Sequence, residues 1–134
     1  MTRFPAARPR RLRQTEALRR LVRETRVAAE QLVQPLFIVP GHGVAKPVAS
    51  MPGIQQLSVD RAAEESRRLA DLGVPAVLLF GIPETKDARG SSALAADGII
   101  PRALDAIRAA APGLVRMTDV CLCEYTDHGH CGVV

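Results

Sequence analysis

The chain has 134 residues, 47% of them hydrophobic, and a formal net charge of +4. That size and composition fit one modest domain with a small core. No apolar run approaches the roughly 18 residues of a membrane span, and the basic N-terminus lacks the apolar stretch of a secretory signal. A cytoplasmic protein with no membrane partner is the expectation.

The charge is unevenly placed. Residues 1–26 carry nine arginines against Glu16 and Glu24, a local excess of +7 that leaves the remainder at −3. Pro5 and Pro9 interrupt any amphipathic helix at the start, so residues 1–13 read as an extended arm. Such an arm can attract phosphates, but base stacking needs aromatic rings, and of the chain's four aromatic residues only Phe4 lies there. A solvated or subunit-contacting arm is expected, without a nucleic-acid partner. Thr15 is placed to cap a short helix that carries Leu18, Leu21 and Val22 on one face.

Pro35 precedes "LFIV" (36–39), an apolar run of strand length closed by Pro40 and Gly41, and residues 40–53 read as loop. Ser58 suits the N-cap of a helix in which Val59, Ala62, Ser66 and Leu69 follow helical spacing and Gly73 takes the left-handed C-terminal position. "PAVLLFG" (75–81) is a continuous apolar run of the kind buried on both faces of a parallel sheet. A long polar loop (82–98) leads to a second helix from Ile99 to Ala111, with Ile100, Ala103, Leu104, Ile107 and Ala111 in one stripe. "LVRMTDVCLC" (114–123) supplies a third strand. Strand, helix, strand, helix, strand predicts an α/β fold with parallel strands. "VPGHGVAKP" (39–47) has glycines but no helix start after them, which argues against a flavodoxin-like phosphate loop.

All three cysteines fall in "DVCLCEYTDHGHCG" (119–132), together with His128 and His130. On a strand, Cys121 and Cys123 would leave the same face, and a loop through Gly129 can return Cys131 to them. Buried apolar cysteines, a disulfide and a metal site all fit this pattern. The odd count and a reducing compartment weigh against the disulfide, and the flanking histidines weigh against plain burial. Three thiolates with an open fourth position would make a catalytic zinc site, whereas a bond from His128 or His130 would make a structural one. The carboxyl end of a parallel strand is where reactive groups collect in α/β folds, which favours the open site. Asp119, two residues before Cys121, should share the sulfur-facing side, where a carboxylate can orient a ligand, exchange a proton or bind a cation. Tyr125, Thr126 and Asp127 read as loop scaffolding. The competing class is a small structural zinc-binding module with a basic arm and no catalysis.

The same segment resembles the zinc-binding stretch of the porphobilinogen synthase (5-aminolevulinate dehydratase) family. Asp, the Cys-x-Cys pair, Tyr-Thr and His-Gly-His-Cys-Gly stand in the family's order and spacing, and "RPRRLR", "RRLVRET", "PLFIVPG", "SMPGI" and "LLFGIPETKDARGS" extend the likeness over essentially all 134 residues. The resemblance implies a (β/α)8 barrel, here its first three strands and two helices over residues 31–134, behind a basic arm over residues 1–30 that grips a neighbour in a homo-octamer. It implies the condensation of two 5-aminolevulinate molecules to porphobilinogen in tetrapyrrole synthesis. Zn2+ would be held by Cys121, Cys123 and Cys131, with Asp119 in the active site and His130 at a second metal position found in some members. The family also uses two Schiff-base lysines far downstream of the cysteine segment. This chain has only Lys46 and Lys86, and neither matches those motifs. A full barrel needs roughly 250 residues. The expectation is therefore a truncated, N-terminal portion that is marginally stable and inactive alone.

Overall fold

The computed structural model describes Ala6 and residues 10–132. The extended reading of residues 1–13 lies largely outside them; within them, Arg11–Arg13 forms a 3-10 turn. Helix α1 (Glu16–Leu21) starts as expected, the Thr15 hydroxyl accepting from the Leu18 amide at 3.2 Å. Its apolar face is not buried within the chain, since Leu21 is 79% exposed.

Strand β1 (Val33–Ile38) begins two residues before Pro35. Residues 33–36 are paired on one side only, with β4, so a residue lacking an N–H is tolerated there. The stretch read as loop after it is not all loop. β2 (Ala45–Pro47) and β3 (Gln55–Leu57) form an antiparallel pair, and β3 joins β1 in parallel at Phe37 and Ile38. The sheet therefore has five strands in the order β2-β3-β1-β4-β5, where the sequence suggested three. β4 (Ala76–Gly81) pairs in parallel with β1 along its whole length and with β5 (Val115–Thr118) on its other side.

The two main helices match their predicted stripes. α2 (Val59–Asp71) buries Ala62, Ser66 and Leu69. It ends at Gly73, φ +81°, with the Gly73 and Val74 amides bonded back to Ala70 and Leu69. Ser58 is the N-cap residue, but its hydroxyl does not cap; it accepts from the Val44 amide at 2.9 Å and ties the β2 approach to α2. α3 (Ile99–Ala110) buries Ala103 and Ile107. Both helices contribute to one core with Leu36, Ile38, Val77 and Leu79, in which Ile38, Val77 and Ile107 are fully buried. The other face of the sheet carries a stacked Phe37–Phe80 pair, ring centroids 5.4 Å apart. No helix among the described residues is long and apolar enough to cross a membrane.

Candidate metal centre

The site grows from the adjacent ends of β4 and β5. β5 stops at Thr118, so Cys121 and Cys123 do not stand on a strand, and alternation is not what brings their sulfurs together. The Asp119 amide still donates to the Leu79 carbonyl at 3.2 Å, and the chain then leaves the sheet. A turn follows in which the Tyr125 and Thr126 amides both bond to the Leu122 carbonyl, at 2.9 and 3.0 Å. Tyr125 folds over the end of β4. Gly81 is buried beneath it, and a Cβ at that position would collide with the Tyr125 hydroxyl and with Ile100. Gly129, φ +73°, reverses the chain and returns Cys131.

The result is a compact triad of sulfurs. Cys131 Sγ lies 3.2 Å from Cys121 Sγ and 3.4 Å from Cys123 Sγ, and all three cysteines are free. The Leu122 amide donates to Cys131 Sγ at 3.3 Å. That N–H, followed by contacts from the other two sulfurs, holds the Cys131 thiol below the usual range. At Cys121 the Cys123 amide pulls the other way, but the neighbouring sulfurs of Cys131 and Cys123, with burial and Glu124, outweigh it and push the thiol up to about 12. Cys121 and Cys131 are thus shifted in opposite directions by the same close contact.

A metal fits this donor set. Thiolates select soft or borderline ions such as zinc, and tetrahedral bonds of about 2.3 Å place sulfurs ~3.8 Å apart, a spacing that small movements of Cys131 from its two neighbours would reach. Neither imidazole completes the shell. His128 Nε2 sits 3.3 Å from the Ala88 carbonyl oxygen and stacks on the ring of His130. Among the described residues no cluster of three ligand groups includes either histidine. Asp119 does come near: its carboxylate, the Cys121 sulfur and the Glu124 carboxylate lie within 4.8 Å of one another. Glu124 escaped the sequence reading, although a carboxylate next to Cys123 was the available signal. Asp119, Cys121 and Tyr125 also line a cavity of about 500 Å³ against Ile100 and Leu104 of α3. Burial first, then the charges of Glu124 and Asp119, raise the Tyr125 phenol above its ordinary range.

A three-sulfur cluster of a geometry that could hold a metal ion, at the carboxyl ends of parallel strands and flanked by two carboxylates, defines the class of this α/β protein. The comparisons make that class specific: a sequence model described as delta-aminolevulinic acid dehydratase matches residues 6–134, and the chain belongs to that family. It is 54% identical over 129 residues to the delta-aminolevulinic acid dehydratase of Synechocystis and 53% identical to that of Synechococcus elongatus, in each case over 96% of the chain. It spans 39% and 40% of the length of those relatives. Among solved structures it is similar to the delta-aminolevulinic acid dehydratase (porphobilinogen synthase) of Toxoplasma gondii in complex with the reaction product porphobilinogen. The TM-score is 0.81 and the identity 36%, covering 96% of this chain and 37% of that one.

Proposed function

We propose that this chain is the metal-holding portion of a porphobilinogen synthase, a hydro-lyase that condenses two molecules of 5-aminolevulinate to porphobilinogen for tetrapyrrole and haem synthesis. The observation that carries the reading is the convergence of Cys121, Cys123 and Cys131 into one open triad, in a chain of this family. Zinc held by Cys121, Cys123 and Cys131 would supply Lewis acidity to a substrate oxygen or nitrogen. Asp119, with a carboxylate near Cys121, accepts a proton or pairs with a substrate ammonium group. A second metal at His130 has less support, because among the described residues its ring joins no cluster of three ligand groups.

On this reading β1, β4 and β5 with α2 and α3 are the opening elements of a (β/α)8 barrel. Residues 1–30 form an arm between subunits of a homo-octamer, which suits the exposed Leu21 and Val27. Three free thiols suit a reducing, cytoplasmic setting. The chain's only lysines are exposed, Lys46 on β2 and Lys86 in the loop after β4, so the 134-residue chain holds the metal half of the chemistry and not the Schiff-base half.

Cobalt titration of the purified chain tests this. One equivalent should bind with intense sulfur-to-metal charge-transfer absorption, Cys131→Ser should remove it, and 5-aminolevulinate should not be converted to a pyrrole. Absence of the thiolate bands in the unmodified chain would overturn the metal assignment, and turnover by the chain alone would overturn the division of labour.

A further inference from the structure

The third sulfur arrives from ten residues beyond the first, and little burial holds it there. We propose that Thr126, seated on a turn built by Asp87, is the positioning residue that returns Cys131 to the other two sulfurs; the inference rests on the metal reading above. The seat comes first. The Asp87 carboxylate accepts from the Arg89 and Ser91 amides at 2.9 and 3.0 Å, folding residues 87–91 into a tight turn. Gly90, buried and at φ +63°, faces Thr126, whose methyl lies 3.4 Å from where a Cβ would stand. Asp87 and Thr126 then pair as an isolated parallel bridge, with amide-to-carbonyl bonds of 3.4 Å from Asp87 to Tyr125 and 3.2 Å from Asp127 to Asp87.

From that seat Thr126, only 2% exposed, donates its hydroxyl to the His130 carbonyl at 2.9 Å, one residue before Cys131. Its own amide bonds to the Leu122 carbonyl, and the Leu122 amide bonds to Cys131 Sγ. The loop 122–131 is closed by this ring. A second tether reaches the same stretch through the His128 ring, whose Nδ1 accepts from the His130 amide at 3.2 Å while its Nε2 lies 3.3 Å from the Ala88 carbonyl oxygen, but Thr126 is the buried partner and bonds the residue next to Cys131 directly. Removing the Thr126 hydroxyl should therefore loosen the third sulfur, leaving only the exposed His128 tether and the sulfur's own contacts, while the sheet and helices stay untouched.

The test is a cobalt affinity series on the full chain, read by competition with a chromophoric chelator, with far-UV circular dichroism on each variant. Thr126→Val should weaken binding by roughly 10- to 100-fold, the usual effect of losing an outer hydrogen bond at a metal site. Thr126→Ser, which keeps the hydroxyl, should restore most of it, and Asp87→Ala should fall between the two. A Thr126→Val chain that binds like the parent, a Thr126→Ser chain as weak as Thr126→Val, or a loss of affinity accompanied by loss of helix signal would each overturn the proposal. If the unmodified chain shows no thiolate bands, the metal reading fails and the latch with it; a normal parent with an unaffected Thr126→Val sinks the latch alone.

Discussion

Two regions of this molecule are held by different forces. The sheet and its two helices are held by burial: Ile38, Val77, Ala62, Ala103 and Ile107 are completely enclosed, and Leu79 nearly so. The sulfur-bearing loop 119–132 encloses one residue, Thr126; elsewhere Val120 is 98% exposed and Cys131 lies at the surface. It keeps its shape through turns and hydrogen bonds, which are worth little each but are directional. Apolar contact fixes which elements pack, whereas a metal shell needs atoms placed to a fraction of an ångström, and directed bonds supply that. The contrast implies that stability and metal affinity should respond to different substitutions.

The largest effect that tests the separation is in the core. Ile107→Ala removes a fully buried side chain between α3 and the strands and should cost about 2–5 kcal/mol of unfolding free energy in urea melts. Under native conditions its cobalt spectrum should match the parent's. A shifted spectrum in a folded variant would mean that core packing reaches the sulfurs and that the two regions are not independent.

The junction should give a smaller and mixed effect. Gly81 ends β4 directly under Tyr125, at a backbone conformation open to any residue, so its small size is what matters. Gly81→Ala pushes on the Tyr125 hydroxyl and Ile100 together. Overpacking of this kind costs about 1–3 kcal/mol, and because Tyr125 belongs to the turn beneath the sulfurs, metal affinity should fall as well. Equilibrium unfolding and cobalt titration of the one variant would show both changes. If only stability falls, Tyr125 is a lid on the core and not part of the loop's frame.

The same division explains what was legible in the sequence. Burial leaves a trace in the sequence, so the α2 and α3 stripes, the apolar strand runs at 36–39 and 75–81, and the glycine stop at Gly73 were all legible, though the first strand starts three residues earlier than its run. β2 and β3 left no trace, being three residues each, interrupted by Pro47 and Gly53, and existing because β3 finds the edge of β1. The end of β5 was misplaced for a related reason: "VCLC" looks like strand, but past Thr118 it no longer follows β4. That three cysteines would gather was legible from residue type and order. The frame that holds it was not, since Asp87 and Thr126 meet across 39 positions of chain through backbone bonds that any residue type can make.

The mildest probe perturbs neither region and reads the loop's electrostatics directly. In the metal-free chain the Leu122 amide, with the sulfurs of Cys121 and Cys123, lowers the Cys131 thiol, while Cys121 is raised to about 12. A lowered pKa means more thiolate at neutral pH, and the thiolate is the species that alkylates. Exposure acts in the same direction, since Cys131 is at the surface and Cys121 is partly covered. Limiting iodoacetamide at neutral pH, followed by peptide mass spectrometry, should therefore label Cys131 well before Cys121. Raising the pH should narrow the gap, as Cys131 saturates as thiolate and Cys121 begins to ionise. Equal labelling at neutral pH would show that the Leu122 amide does not hold the third sulfur, and the hydrogen-bonded frame would lose the contact on which its order depends.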